Sequence, residues 1–250
     1  MSGHSKWSTI KRKKGEIDAK RGKIFTKVVR EITTAARIGG SDIDANPRLR
    51  AAVSVAKAAR MPSENIDRAI KKGSGELDGS AIEEQNYEGY GPGGVALYVE
   101  AQTDNKNRTT SEVRNVIAKA NGNLGTAGSV AWMFKKQGHF TFDAAKYTEE
   151  EVMDAALEGG ATDVVTEGDE IIAICELKQF AAVANHFDKL ELKYQGELTM
   201  VPENTVKVAG EDAARVLRLI EKLEDLDDVM KVYANFDIDD EELERIVGAD

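Results

Sequence analysis

The sequence predicts an α+β chain: an N-terminal three-helix domain, then two α+β domains, the ferredoxin-like one inserted into the other. Three observations carry that expectation. The first 73 residues hold helical apolar spacing cut by Gly39-Gly40, Pro47, Pro62 and Gly73. From His139 to Met200 the order strand-helix-strand-strand-helix-strand forms one compact cycle. The segments on either side, 80–135 and 203–250, each hold strands and one long helix, too little to close a core alone. The expected domains are therefore 1–79, a discontinuous 80–135 with 203–250, and an inserted 136–202.

Element by element, residues 1–15 are a basic arm. A helix is expected from Ile17 to Ile38, ended by Gly39-Gly40, where glycine suits the left-handed cap. A second starts with Asn46 as N-cap and Pro47 in the first turn and runs to about Met61. A third spans Ser63 to Gly73. Residues 73–84 (GSGELDGSAIEE) are small, polar and acidic and are expected to be a linker. Strands are expected at Gly94–Thr103 and Ser129–Lys135. Between them lies a helix at Thr109–Asn121, with Thr109 and Glu112 spaced as a capping box. The cycle places strands at His139–Phe142, Asp163–Thr166, Glu170–Glu176 and Glu191–Met200, and helices at Thr148–Leu157 and Lys178–Leu190. A strand at Thr205–Val208, a helix at Glu211–Leu226 and a strand at Val229–Phe236 complete the expectation. That last helix carries Val216, Leu219, Ile220 and Leu223 at the 3.6 period.

Charge then separates the parts. The chain of 250 residues is net −10. Residues 1–72 nevertheless hold 18 Lys/Arg against 7 Asp/Glu, a net +11, and residues 73–250 are net −21. A basic head on an acidic body points to a polyanion partner for the head. The candidate nucleic-acid-binding residues are Lys6, Trp7, Lys11, Arg12, Lys13, Lys14, Lys20, Arg21, Lys23, Lys27 and Arg30. At 100° per residue from Ile17, the apolar Ile24, Val28, Val29 and Ile32 fall between about 340° and 120°. Lys20, Lys23, Lys27, Arg30 and Arg37 fall opposite, between about 200° and 300°. Arg21 falls on the apolar side. An ordinary solvated face interleaves signs, whereas Glu31 is the lone acid from residue 19 to 41. Such cation ladders suit phosphate backbones because they displace condensed counterions. Trp7 has two readings, a base-stacking platform or a cover for the small helical core. No base-reading code is evident, so backbone and shape recognition is expected.

Other features are weaker. Gly89–Gly94 (GYGPGG) matches GxGxxG, but it precedes a strand and Pro92 removes a donor, so it is expected to be a tight turn. Lys106 and Arg108, in TDNKNR ahead of a helix, are candidate phosphate contacts. With the glycine turn they define the alternative of another class, an enzyme or binder of a phosphorylated ligand. A third reading is an interaction protein that uses its acidic sheets. No catalytic set is evident: His4, His139 and His186 are scattered and Cys175 sits in an apolar strand. No metal site and no cofactor are expected. The single cysteine points to a reducing, intracellular compartment, and the absence of a ~20-residue apolar run and of a signal-peptide core leads to the expectation of no membrane span and no secretion signal.

Long motifs carry a family resemblance. Gly3-His4-Ser5-Lys6-Trp7, Ile10-Lys11, Lys13-Lys14, Phe25 with Lys27, Gly39-Gly40 and Asn65-Ile66 through Arg68–Gly73 resemble the YebC family. So do Tyr87–Gly94, Thr103–Arg108, Gly122–Gly125 and Ser129–Trp132. Ile43 stands where proline is common, and Arg60 where asparagine is common. The resemblance implies a helical domain followed by an α+β domain interrupted by a ferredoxin-like one. It also implies a cytoplasmic regulator of gene expression without enzymatic activity. Family members are described as transcriptional regulators that bind DNA. Others resemble translation factors that act on the ribosome, including at proline-rich stalls. Duplex DNA and ribosomal RNA both stand as expected partners, with the ribosome or another protein met through the acidic body.

Overall fold

The computed structural model describes Trp7, residues 21–77 and residues 82–248. The chain divides into two compact units, Met1–Ala131 with Asn204–Asp250, and Trp132–Glu203.

The head is built from α1 (Arg21–Gly39), α2 (Pro47–Ala58) and α3 (Ser63–Gly73). The expected start of α1 before Arg21 lies outside the described residues. Val28, Ile32, Ala35 and Ala36 of α1 are buried against Leu49, Val53, Ala56, Ile66 and Ala69. Asn46 fixes the corner. Its Oδ1 accepts from Leu49 N (3.1 Å), capping α2, while its Nδ2 donates to Ala35 O and Gly40 O (both 2.8 Å). Gly73 lets α3 cross α1 closely, since a Cβ there would stand 2.4 Å from Thr33 O. Arg60 takes φ 58°, a left-handed conformation that asparagine adopts more readily. One expected apolar position departs: Ile24 is exposed.

The rest of this unit is one sheet ordered β3-β1-β2-β9 (Asn123–Leu124, Glu83–Tyr90, Ala96–Thr103, Val229–Ala234). Antiparallel pairing of Leu97 with Ala234 and of Ala101 with Val229 joins the two distant stretches of sequence. Helices α4 (Lys106–Lys119) and α7 (Gly210–Glu224) bury Val113, Ile117, Val216, Leu219, Ile220 and Leu223 in the core beside Leu97, Val99 and Val232. A parallel pair, β8 (Val206–Lys207) with β10 (Phe236–Asp237), and α8 (Asp240–Gly248) complete it.

The inserted unit is the expected β-α-β-β-α-β cycle. Its sheet runs β5-β6-β4-β7 (Asp163–Glu167, Glu170–Glu176, Phe134–Asp143, Gln195–Pro202), all antiparallel, with α5 (Glu149–Gly159) and α6 (Phe180–Lys189). The core joins Phe140, Phe142 and Phe187, whose rings meet edge-on at 5.1–5.2 Å. Thr148 and Glu151 form the capping box of α5, and Gly160 closes it at φ 95°.

Several expectations are corrected. Residues 83–90 are a strand, β1, rather than linker or turn, because this stretch pairs on both edges. The tight turn expected in GYGPGG is present but confined to its last four residues, Gly91 to Gly94, which connect β1 to β2; Gly91 N donates to Val95 O (2.8 Å), and Gly93 and Gly94 take positive φ. Helix α4 starts three residues early. Asn105 is its N-cap, accepting from Arg108 N (3.1 Å), and Thr109 is a buried first-turn residue rather than a cap. Residues 129–133 do not form a strand; a 3-10 turn occupies Ala131–Met133 and β4 begins at Phe134. The N–H groups of Val130 and Ala131 are committed to Glu88, as described below. The acidic run Asp239–Glu242 opens α8, where carboxylates suit the positive helix end.

Candidate nucleic-acid interface

The cationic face of α1 begins with spacing. Lys23, Lys27 and Arg30 lie four and three residues apart, so they share one helix face. In the structure that face meets the turn after α7. Lys23 Nζ donates to the Asp225 carboxylate (3.1 Å) and the Asp225 carbonyl (3.2 Å). Lys27 Nζ donates to Glu224 O (2.6 Å). Arg30 Nη1 donates to Gln102 O (2.9 Å), Asp227 O (3.0 Å) and the Asp228 carboxylate. The Glu224, Asp225 and Asp227 carbonyls belong to the end of α7 and the residues after it, where the helix dipole is negative, while Gln102 O belongs to β2.

Asp228 is the hub. Its side chain is 2% exposed. Beyond Arg30 it accepts from Arg108 Nη2 (2.7 Å), Thr109 Oγ1 (2.6 Å) and Thr103 Oγ1 (3.1 Å). Burial alone would raise its pKa. The hydroxyl of Thr109 and the guanidinium groups of Arg108 and Arg30 outweigh that and hold it at about 2. Arg108, expected as a phosphate contact, is therefore neutralised by Asp228 and by Asp104 (2.8 Å), and Lys106 pairs with Glu83 (2.5 Å). The anion beside the α4 N-terminus is a side chain of the chain itself.

Glu31, the lone acid of the ladder, ties the head to β1 and β2. It receives Arg48 Nε (2.6 Å) and Gln102 Nε2 (2.6 Å), while Arg48 also reaches Glu84 (2.6 Å). Burial opposes its charge, but Arg48 and Gln102 keep its pKa below the ordinary value.

Trp7 performs neither expected task. It is buried in the core cluster of the α+β body, not over the helical core, and it is not an exposed stacking surface. Its indole N–H has no acceptor among the described residues. The remaining expected contacts, Lys6, Lys11, Arg12, Lys13, Lys14 and Lys20, and the side chain of Arg21, lie outside the described residues.

Sequence reasoning missed a second set of cations. Lys57, Arg60, Arg68 and Lys71, at the end of α2 and along α3, are exposed and carry no ion pair among the described residues. Lys72 is half-buried and lines a cleft of about 370 Å³ that Arg30 and Asp104 also line. The clue was present in the sequence, since α2 and α3 contribute to the net +11. It also missed Glu88, a buried carboxylate that accepts from Gly128 N (2.7 Å), Val130 N (2.8 Å) and Ala131 N (2.8 Å). Burial raises its pKa, but these three donors more than compensate and leave it lowered. This explains structurally why YEGYG and the Gly-Ser-Val-Ala stretch occur together.

Chemistry beyond binding finds little support. Cys175 is buried, and burial raises its thiol pKa. Among the described residues no His/Cys/Asp/Glu group is placed to hold a metal, and no helix is long and apolar enough to cross a membrane.

Residues 5–76 match the family model described as the TACO1/YebC protein N-terminal domain, and residues 82–236 match that of the TACO1/YebC second and third domain. The chain belongs to the TACO1/YebC family. A relative from Syntrophobacter fumaroxidans is 59% identical over 98% of this chain and 100% of its own length. One from Trichlorobacter lovleyi is 52% identical over 99% and 100%. Both are described as probable transcriptional regulatory proteins. The crystal structure of a conserved hypothetical protein from Aquifex aeolicus superposes with a TM-score of 0.83 at 46% identity, covering 90% of this chain and 93% of that one.

Proposed function

We propose that this protein is a non-enzymatic, nucleic-acid-binding regulator of gene expression that contacts phosphate backbone through its basic head. The observation that carries the reading is the segregation of charge, +11 in residues 1–72 against −21 in the remainder. Two groups of cations support it. One is the arm, with Lys6, Lys11, Arg12, Lys13 and Lys14. The other is the exposed set Lys57, Arg60, Arg68 and Lys71, which carries no ion pair among the described residues. The curated relatives' description as transcriptional regulators favours duplex DNA. A ribosomal RNA target is the second reading, favoured by the lack of any base-reading pattern, and the acidic body then faces protein.

Binding to a DNA duplex and to ribosomes across a salt series tests both readings. A steep inverse salt dependence with one target and none with the other assigns it. Replacing Lys11, Arg12, Lys13 and Lys14 by Ala should flatten the slope. If wild type binds neither target at low salt, the proposal fails.

A further inference from the structure

We propose that the 224–228 turn is an internal stand-in for phosphate, which covers the Lys23–Lys27 face of α1 and competes with a nucleic-acid backbone for those cations. The inference rests on the nucleic-acid reading above and concerns the regulation of that same face.

The chemistry of the contact matches what a phosphate offers. Each cation meets anionic or carbonyl oxygen: Lys23 meets Asp225, Lys27 meets Glu224 O, and Arg30 meets Asp227 O and Asp228. The turn supplies four acids within five residues, Glu224, Asp225, Asp227 and Asp228, at the negative end of α7. Lys23, Lys27 and Arg30, three of the residues that the sequence marks for a polyanion, are thus already occupied by one, contributed by the same chain.

The rungs of this contact differ in strength. Lys23 and Asp225 are 45% and 61% exposed, so their pair is screened by solvent and readily exchanged. Arg30 and Asp228 are 19% and 2% exposed, and Asp228 is also held by Arg108, Thr103 and Thr109. The outer Lys23 rung therefore opens first while the inner one stays as the pivot, and no wholesale separation of head and body is needed. Lys57, Arg60, Arg68 and Lys71 carry no competing partner among the described residues, so they can recruit the polyanion before the outer rungs exchange.

The test is a cycle of variants with fluorescence anisotropy on two labelled probes, an RNA and a DNA duplex of about 20 nucleotides or base pairs. Asp225→Asn with Asp227→Asn weakens the turn. Glu241→Gln with Glu244→Gln, on exposed positions of α8, makes the same change in net charge away from it. The first should bind about three- to fivefold tighter than the second at low salt, the range set by one or two exposed pairs. The gain should shrink as salt rises. It should vanish in a Lys23→Ala, Lys27→Ala background, where the competitor has nothing to cover. Equal affinity of the two double variants, or a gain that survives without Lys23 and Lys27, overturns the latch. Absence of binding by every form overturns the nucleic-acid reading, and the latch falls with it. Circular dichroism spectra matching wild type are required of each variant.

Discussion

Asp228→Asn is the most informative perturbation of the fold, because one buried carboxylate joins the head, β2, α4 and the turn after α7. Its pKa falls from an ordinary 3.8 to about 2. At 1.36 kcal/mol per pH unit, that difference is worth about 2.5 kcal/mol. The side chain is only 2% exposed, so no discount for solvent screening applies. The sign follows from the depressed value: the stabilisation is fully present above pH ~3.8 and is lost as pH falls through about 2. Asparagine keeps the shape but removes the charge, and turns an N–H group toward donors from Arg30, Arg108 or Thr109. The expected loss is about 3 kcal/mol, between that of a broken hydrogen bond and that of a fully buried broken ion pair. For a unit of this size it lowers Tm by roughly 6–12 °C. Urea unfolding at pH 7 and again near pH 2.5 measures both effects. The wild-type excess over the variant should be large at pH 7 and mostly gone at pH 2.5. Asp225→Asn, which touches only an exposed pair, should lose under ~1 kcal/mol. If Asp228→Asn and Asp225→Asn unfold at the same urea concentration, or the gap is unchanged at acid pH, the hub carries no charge-dependent stability and the reasoning is wrong.

Glu88→Gln should cost about 2–3 kcal/mol in urea unfolding, since one amide oxygen replaces two carboxylate oxygens facing Gly128, Val130 and Ala131 N–H groups. Asn46→Ala should cost about 2–3 kcal/mol by the same measurement, with faster amide exchange at Leu49, because it removes the cap of α2 and the bonds that Nδ2 donates to the carbonyls of Ala35 and Gly40. A loss under ~0.5 kcal/mol would show water replacing all three bonds. Gly138→Ala places a Cβ 2.4 Å from Phe180 and 2.7 Å from Cys175 Sγ, so the inserted unit should lose about 1–3 kcal/mol, visible as a lower melting point.

The sequence disclosed most of what depends on local pattern. The β-α-β-β-α-β cycle was legible because each element has its own period and its own stop, as at Thr148 and Gly160. The third head helix was legible at both ends. What was hidden depends on partners far away in sequence. Residues 83–90 alternate poorly and carry three glutamates, yet they pair on both edges with β2 and β3. Ser-Val-Ala-Trp has strand propensity, but Glu88, some forty residues upstream, takes its N–H groups. The site was half legible for the same reason. Helical spacing put Lys23, Lys27 and Arg30 on one face correctly. No periodicity could show that Asp225 and Asp228, about two hundred residues downstream, would face them. Trp7 was misassigned because a lone aromatic beside a lysine has the same local signature whether it is core or platform.

Charge segregation therefore needs a geometric complement before it names a partner. A run of cations lowers the free energy of any nearby anion, and the nearest anion to a basic head is the acidic body tethered to it at high effective concentration. A free polyanion competes only if it offers more contacts than the turn, or reaches cations that the turn does not touch. Both conditions hold here. The turn satisfies three cations of α1, while Lys57, Arg60, Arg68 and Lys71 stay unpaired among the described residues. A short anion that spans only Lys23 and Lys27 should be excluded by the turn, whereas one long enough to reach α2 and α3 gains contacts that the turn lacks. The acidic body thus sets a length threshold, and titrating oligonucleotides of increasing length should show affinity rising steeply once both faces are spanned. A smooth rise with no such step would mean that the turn exerts no competition.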